Sequence, residues 1–308
     1  MEYNNRIALV TGAANGIGRA TSLMLARRGV DLVLFDISAE RLREVEDEVK
    51  KLGRKVISVV CDMGEQSSID AALEKIKDWK IDILVNNAAL WRNDVGPFVK
   101  TNPESWKRRW MVNVWGLMYL TQKLLPPMLE QRWGRVINVS SVAGRYGIAN
   151  MVDYSTTKGA VHSFTKALAK AAKEHGVSPA VETSLFLWEE ETLRSFDLIM
   201  FDLKLIDPEK HRKFTGVPLE PILDNIKRCA ALGIPLIART PVIPGVNNSE
   251  IPEIAGFLRE IPAVRRYELL PYHPLGTSKA EALGKTQTRF EIPSGRMMEE
   301  LDKYAFIR

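Results

Sequence analysis

The sequence predicts an α/β protein: a doubly wound parallel sheet joined to a partial β/α-barrel fragment. Three observations carry this expectation. Short apolar runs alternate with helix-length segments through the first half, a glycine-rich turn directly follows the first run, and a second series of apolar runs ending in polar residues begins near residue 180.

Arg6-Ile7-Ala8-Leu9-Val10 reads as a buried parallel strand, and Thr11-Gly12-Ala13-Ala14-Asn15-Gly16-Ile17-Gly18 as the turn that leaves it. Ala20, Leu23 and Leu25 then start a helical pattern. Strand, turn and helix in that order suit a Rossmann-like dinucleotide site. Gly12 permits the sharp turn, Gly16 lets the backbone approach a pyrophosphate, Gly18 lets helix and strand pack closely, and the helix N-terminus presents N–H groups to the anion. Asn15 and Ile17 share this turn. Taken alone, the glycines also fit a plain tight turn. Asp36 ends the second run, Asp31-Leu32-Val33-Leu34-Phe35-Asp36, where a ribose-binding acid is expected, about 20 residues on. A carboxylate there accepts from both ribose hydroxyls and repels a 2′-phosphate, so NAD is favoured over NADP; in isolation, Asp36 could equally just end a strand.

Composition sets the class. The 308 residues are 45% hydrophobic and 26% charged, as in an ordinary globular protein. The net charge of +5 is spread among 38 acids without long runs of one sign, which argues against a nucleic-acid partner. No apolar stretch reaches membrane-spanning length, and Met1 to Arg6 lead into the first strand without a signal-peptide pattern, so the expectation is a cytoplasmic chain with no membrane partner. The two cysteines, Cys61 and Cys229, have no metal-type spacing, and no metal site is expected.

Further strands are expected at Lys55–Val60, Ile83–Asn87 and Gly134–Ser141, with helices over Ile69–Trp79 and Trp106–Met128. Right-handed crossovers gather the strand ends into one crevice, and Asp62, Asn86, Asn87 and Ser141 stand at those ends. Tyr154-Ser155-Thr156-Thr157-Lys158 then opens a helix. Tyrosine and lysine four apart share a helical face, so the ammonium can lie beneath the phenol and draw its pKa from about 10 toward neutrality. By itself a Tyr-x-x-x-Lys spacing is common; here it follows the glycine-rich turn and an Asn-Val-Ser-Ser strand end.

With these motifs together, residues 5 to about 176 resemble a short-chain dehydrogenase/reductase. The family's Thr-Gly-x-x-x-Gly-x-Gly matches Thr11 to Gly18, and its Asn-Asn-Ala-Gly matches Asn86-Asn87-Ala88, with Ala89 in place of the glycine. The resemblance implies a catalytic tetrad of Asn113, Ser141, Tyr154 and Lys158. Tyr154 would exchange a proton with the substrate oxygen, Ser141 would hydrogen-bond that oxygen, Lys158 would hold the nicotinamide ribose, and Asn113 would support a water in the relay. It implies cofactor contacts at Gly12, Asn15, Gly16, Ile17, Gly18, Asp36, Asp62 and Asn87, with Asp62 meeting the adenine. The substrate would be a small alcohol or carbonyl compound. A homo-oligomer is implied through the helices around Trp106 and Tyr154.

The family pattern then stops. Val177 to Ser184 offers a proline and a threonine but not the family's Pro-Gly turn, and neither the substrate cover nor the last strand follows. Residues from about 180 to 308 instead resemble the later part of a radical S-adenosylmethionine enzyme, of the kind that installs a glycyl radical. The matching pieces are Val181–Ser184, Leu198–Lys204, Ala238–Asn247 and Glu268–Gly276, with helices near Pro221–Leu232 and Ser249–Arg259. In that family Glu182, Asp202, Lys204, Arg239 and His273 would surround S-adenosylmethionine; the alternative is that these polar ends face solvent or a rearranged core. The family's chemistry needs three thiolates from one Cys-x-x-x-Cys-x-x-Cys loop, which the two isolated cysteines do not supply, so no iron–sulfur cluster is expected.

The expected domains are therefore 1–178, NAD-binding, and 179–308, a partial β/α barrel. The chain reads as a chimera crossing over between His175 and Thr183, with one strand shared by both halves. The leading function is an NAD(P)-dependent oxidoreductase, impaired by loss of the family's C-terminus. The alternatives are a chimera that binds nucleotide at most and a module that binds S-adenosylmethionine. Trp91, Trp110 and Trp115 are candidates to line a pocket, although such spacing more often marks core.

Overall fold

The apolar runs of the first half become parallel strands because both of their faces are covered. In this computed structural model, which describes residues 5–91, 96–141, 143–175, 180–186, 188–272 and 290–308 (backbone alone at 181–183), the chain divides into two compact units, Met1–Val177 and Ser178–Arg308.

In the first unit, β1 (Ile7–Thr11), β2 (Asp31–Asp36), β3 (Val56–Val60), β4 (Ile83–Asn86) and β5 (Arg135–Asn138) form an all-parallel sheet of order β3-β2-β1-β4-β5. Alternate residues enter two separate cores. Ala8, Val10, Leu32 and Leu34 meet Leu23 and Ala26 of α1 (Gly16–Arg27) and Leu42, Val45 and Val49 of α2 (Ala39–Lys51). Leu9, Val33, Phe35 and Leu84 meet Ile69 and Ala72 of α3 (Gln66–Lys75) and Leu120 and Met128 of α5 (Gly116–Glu130). Helices on both faces explain why these strands read as continuous apolar runs instead of alternating ones.

The helices depart from expectation in two informative ways. The predicted Ile69–Trp79 helix lies at Gln66–Lys75, and its end closes as a turn in which Trp79 N donates to Ile76 O at 2.8 Å. The predicted Trp106–Met128 helix begins earlier, at α4 (Pro103–Trp110), because Asn102 Oδ1 accepts from Glu104 N at 3.0 Å and Pro103 suits a first helical position. It then widens into a π turn, Met111–Trp115, before α5 continues. A short α6 (Ala143–Tyr146) precedes α7 (Val152–Glu174).

In the second unit, β6 (Ala180–Thr183), β7 (Leu198–Asp202), β8 (Leu236–Val242) and β9 (Val264–Pro271) are parallel, and β10 (Phe306–Ile307) pairs antiparallel with β9. The order β10-β9-β8-β7-β6 leaves an open sheet, so the barrel fragment does not close among the described residues. Helices α8 (Glu190–Leu193), α9 (Pro208–Thr215), α10 (Glu220–Ala231), α11 (Ile251–Arg259) and α12 (Gly295–Asp302) complete it. Along β8, Leu236, Ala238, Thr240 and Val242 are buried while Ile237, Arg239 and Pro241 are half-buried. One face of this sheet is thus packed on α10 and α11 through Ile222, Ile226, Ile254 and Leu258, and the other remains partly open.

The shared strand expected at the junction is not formed. Among the described residues β6 pairs with β7 alone, register Ala180↔Leu198 to Thr183↔Phe201, and no strand belongs to both sheets. The physical reason is local: β6 and β7 join through a short crossover, and Ile199 and Phe201 of β7 lie fully buried in the second unit's own core. The first sheet therefore ends at β5, whose Ile137 is 48% exposed.

A buried polar chain crosses the second core. Tyr267 Oη donates to Thr240 Oγ1 at 3.0 Å, and Thr240 Oγ1 donates to Leu203 O at 2.6 Å. Thr240→Val keeps the shape but strips both partners, so a loss of about 2 kcal/mol is expected. Urea denaturation checks this: an unmoved midpoint would show that the chain of bonds contributes nothing net.

Candidate active site

At the C-terminal end of β1 the backbone turns through Gly12 (φ 65°) and Gly16 (φ 53°), both in the left-handed region that favours glycine. Asn15 accepts from Gly16 N at 2.8 Å and caps α1, whose remaining first-turn N–H groups point out of the turn with no acid among them. Ile17 is exposed. Gly18 is required by closeness: a Cβ there would lie 2.0 Å from Gly12 O and 2.6 Å from Asn87 Nδ2. Its close approach is thus to the turn itself, a tighter constraint than the helix–strand packing expected of it.

Asn87 is the strut of that turn. Its Nδ2 donates to Thr11 O at 3.0 Å and Gly12 O at 3.1 Å, and Thr11 Oγ1 accepts from Asn87 N and Ala88 N, both at 3.0 Å. The side chain expected to touch a cofactor therefore holds the loop that would. Asp36 is fixed by both oxygens, Oδ2 accepting from Ala14 N at 3.0 Å and Oδ1 from Ser38 N at 2.9 Å. This ties the end of β2 to the glycine-rich turn. Asp62 accepts from Gly64 N at 2.9 Å and takes Arg108 Nη2 on both oxygens at 2.6 and 2.5 Å, so its carboxylate is already engaged at the position where contact with adenine was expected.

The four expected catalytic residues come from three elements. Asn113 sits in the π turn, 1% exposed. Its Oδ1 accepts from Leu90 N at 2.7 Å, and its Nδ2 donates to Leu90 O at 3.0 Å and Thr157 Oγ1 at 3.2 Å. It thereby clamps the loop after β4 to α7. A π turn inside a helix often marks a functional position, since the widened ring displaces backbone groups from the regular ladder. Ser141 follows β5; its Oγ accepts from Ala143 N at 3.2 Å and hydrogen-bonds Tyr154. Tyr154 and Lys158 lie one turn apart on α7, both buried. Gly144 of α6 brings the two helices together, since a Cβ there would sit 2.4 Å from the Lys158 carbonyl carbon.

The electrostatics differ from expectation. Lys158 Nζ donates to Val139 O at 2.7 Å and stands 5.9 Å from the centroid of the Tyr154 ring. Burial pushes the Tyr154 hydroxyl above the ordinary tyrosine range, opposed by its bond to Ser141 and by the charge of Arg109. The depression toward neutrality anticipated from the four-residue spacing is thus absent: desolvation outweighs the Ser141 bond and the charge of Arg109. Two groups that the motif reading overlooked lie here. Arg109, 2% exposed on α4, forms an ion pair with Asp153, the residue before Tyr154. Their only sequence signals are a basic residue one turn before Asn113 and an acid in the first turn of α7.

Of the tryptophans, Trp110 is 44% exposed, whereas Trp115 is half-buried and stacks on Tyr119 at 4.9 Å; Trp91 is half-buried. In the second unit Arg239 and Asp202 are brought together at 3.1 Å across β8 and β7, while Lys204 is exposed. His273 and the side chain of Glu182 lie outside the described residues. Cys61 and Cys229 are buried, one in each unit's core, and burial pushes each thiol up to about 11. No group of three potential metal ligands occurs among the described residues, and no helix there is long and apolar enough to cross a membrane.

Two family models match the chain, over stretches that overlap at 138–182. The family model described as short chain dehydrogenase matches residues 6–182, and that of the radical SAM superfamily matches 138–258. The 3-oxoacyl-[acyl-carrier-protein] reductase of Aquifex aeolicus is 39% identical over 173 residues, 55% of this chain and 69% of that protein. Sorbitol dehydrogenase of Cereibacter sphaeroides is 36% identical over 181 residues, covering 58% of this chain and 69% of its own length. Among solved structures, an NAD+-bound xylitol dehydrogenase aligns with a TM-score of 0.56 at 29% identity, covering 63% of this chain and 75% of that one. A metagenomic short-chain oxidoreductase in complex with NADP aligns with the same TM-score and identity, over 59% and 83%. Glycine-rich turn, Asp36, Asn113, Ser141, Tyr154 and Lys158 all fall inside the first match, and the chain accordingly belongs to the short-chain dehydrogenase family.

Proposed function

We propose that the first portion of the chain, residues 1–178, is an NAD-dependent oxidoreductase that moves a hydride between nicotinamide and a small alcohol or carbonyl compound. The observation that carries this reading is the convergence of Tyr154, hydrogen-bonded to Ser141, with the buried Lys158 and Asn113 on the elements that flank a dinucleotide-type turn. The residues fit such a cofactor: a Cβ at Gly16 would meet no protein atom within 4 Å, which leaves open space above the α1 N-terminus for a pyrophosphate. Asp36 is held rigidly at the edge of that space to accept from ribose hydroxyls.

When bound, the nicotinamide supplies or accepts the hydride. Tyr154 carries the matching proton on its phenol oxygen, Ser141 holds the substrate oxygen beside it, and Lys158 offers an ammonium for the ribose and for the phenolate left after proton donation. Asn113 keeps α7 and the loop after β4 in register, so that the phenol and the strand end stay aligned.

Because Tyr154 is held above the ordinary tyrosine range, it is protonated at neutral pH and poised as a donor. Carbonyl reduction is therefore expected to be flat through neutrality and to fall at alkaline pH, and alcohol oxidation, which needs the phenolate, to rise with pH. Initial rates in both directions from pH 6 to 10 check the sign; oxidation saturating below pH 7 contradicts it. Preference for NAD rests on Asp36. Asp36→Asn preserves the shape but removes the charge and one of the two acceptors that Ala14 N and Ser38 N use, so discrimination of NADH against NADPH is expected to fall by about tenfold. Nicotinamide fluorescence titration measures it, and an unbound parent at millimolar NADH would sink the cofactor reading itself.

For residues 179–308 we infer a remnant of a radical S-adenosylmethionine barrel joined to the dehydrogenase portion in a chimera. Support comes from the parallel β6–β9 order and the Asp202–Arg239 pair at the strand ends. The reading of the whole chain as a scaffold that binds nucleotide without turnover is favoured by one observation, the truncation of the first sheet at β5. Activity lost on Tyr154→Phe separates the two.

A further inference from the structure

Arg109 is the buried charge of α4: Glu104 and Lys107 are exposed, and Arg108 is half-buried on Asp62. Its guanidinium has been carried inside to meet Asp153, whose side chain is 11% exposed. Asp153 occupies the first turn of α7, where a carboxylate also meets the positive end of the helix dipole. Removing one partner of a buried pair leaves an uncompensated charge, so each fixes the other's location. The consequence is geometric. α4 packs against α7, Arg109 stands four residues before Asn113, and Asp153 adjoins Tyr154 in the chain.

We propose that the Arg109–Asp153 ion pair is a positioning element of the candidate site, which locks the helix leading to Asn113 onto the first turn of the helix bearing Tyr154 and sets the charge environment of the Tyr154 hydroxyl. It deepens, and rests on, the hydride-transfer reading. Among the described residues, few charged groups stand on the elements packed against the first turn of α7. Lys158 and Asp153 come from α7 itself and Arg109 from α4. Arg145 of α6 is exposed, with its guanidinium 5.9 Å from the Tyr146 ring. The end of β5 and the π turn contribute the neutral groups Ser140, Ser141 and Asn113. Arg109 acts on the phenol in the direction that favours phenolate.

The test is an ultraviolet difference titration of the full chain, with the Tyr154→Phe spectrum subtracted, read within the first second of a pH jump. It needs no turnover. Arg109→Met combined with Asp153→Leu replaces the pair by side chains of similar volume and is expected to raise the Tyr154 midpoint by about one pH unit. Asp153→Asn leaves the guanidinium in place without its counter-charge and is expected to lower the midpoint, and Arg109→Lys to restore most of the parent value. A purely structural pair would change thermal stability and leave the midpoint where it was; unmoved midpoints in both the double variant and Asp153→Asn overturn the proposal. If the double variant does not fold, the opposite shift in Asp153→Asn decides alone. A parent that titrates as expected yet never oxidises NADH counts against the hydride-transfer reading and not against the pair's effect on the phenol.

Discussion

A Tyr154→Phe protein is expected to lose about 10³-fold in kcat for carbonyl reduction while binding NADH as the parent does. The size follows from what the substitution removes. The ring is 5% exposed and remains in place as phenylalanine, so packing around α7 is kept. Only the hydroxyl goes, and with it the proton that must reach the substrate oxygen as the hydride arrives. Ser141 cannot replace it: a serine hydroxyl at neutral pH is a far weaker acid, and its oxygen is already engaged by Ala143 N. Lys158 is also a poor substitute, because its ammonium is directed at Val139 O. The turn that would bind dinucleotide is built from β1, β2 and β4 and is bonded through Asn87, Thr11 and Asp36, whose side chains bond within that turn. Binding and chemistry should therefore separate cleanly. Steady-state rates beside NADH fluorescence titration check this, and a variant that retains the parent's kcat would remove Tyr154 from the mechanism.

Much of the turn and of α7 is legible in the amino-acid sequence alone. Glycines at 12, 16 and 18 announce a turn because two of them take positive φ and the third lies within van der Waals contact of backbone, and these are requirements that only one residue type meets. β1, β2 and β4 were legible because apolar residues facing two cores leave uninterrupted runs. Properties that depend on partners distant in sequence were not. The spacing of Tyr154 and Lys158 put both on one face of α7, yet gave the opposite direction for the phenol, because burial outweighs the Ser141 bond and the charge of Arg109. Arg109 and Asp153, 44 positions apart, carry no mutual signal. The junction failed for a related reason. Val181-Glu182-Thr183 suits either sheet by propensity, and the choice was made by Ile199 and Phe201, whose core lies with α10 and α11. β10 and α9 were missed because two residues of strand and eight of strongly charged helix give little periodicity to read.

Gly18→Val is expected to damage both stability and dinucleotide binding, whereas Gly16→Ala should damage binding well beyond its effect on stability. At Gly18 the added Cβ would stand 2.0 Å from Gly12 O and 2.8 Å from Gly12 C, and these are backbone atoms of a turn that has no slack. Asn87 Nδ2, at 2.6 Å from the same point, is held by the carbonyls of Thr11 and Gly12 and cannot swing aside without leaving both unpaired. Overpacking of this kind costs about 3 kcal/mol, and where the strain falls on the turn's binding-competent shape the same figure is roughly a hundredfold in affinity. Gly16 presents the opposite case. Its φ of 53° makes alanine unfavourable by about 1 kcal/mol, but no protein atom lies within 4 Å of the new methyl. A methyl entering the open space over the α1 N-terminus would compete with a pyrophosphate there, so NADH affinity should fall by about a hundredfold, roughly 3 kcal/mol, against a stability loss of only about 1 kcal/mol. Denaturation curves and fluorescence titrations on the two variants give four numbers from one turn. Equal losses of affinity and stability at Gly16 would mean that the open space above it is not where the dinucleotide binds.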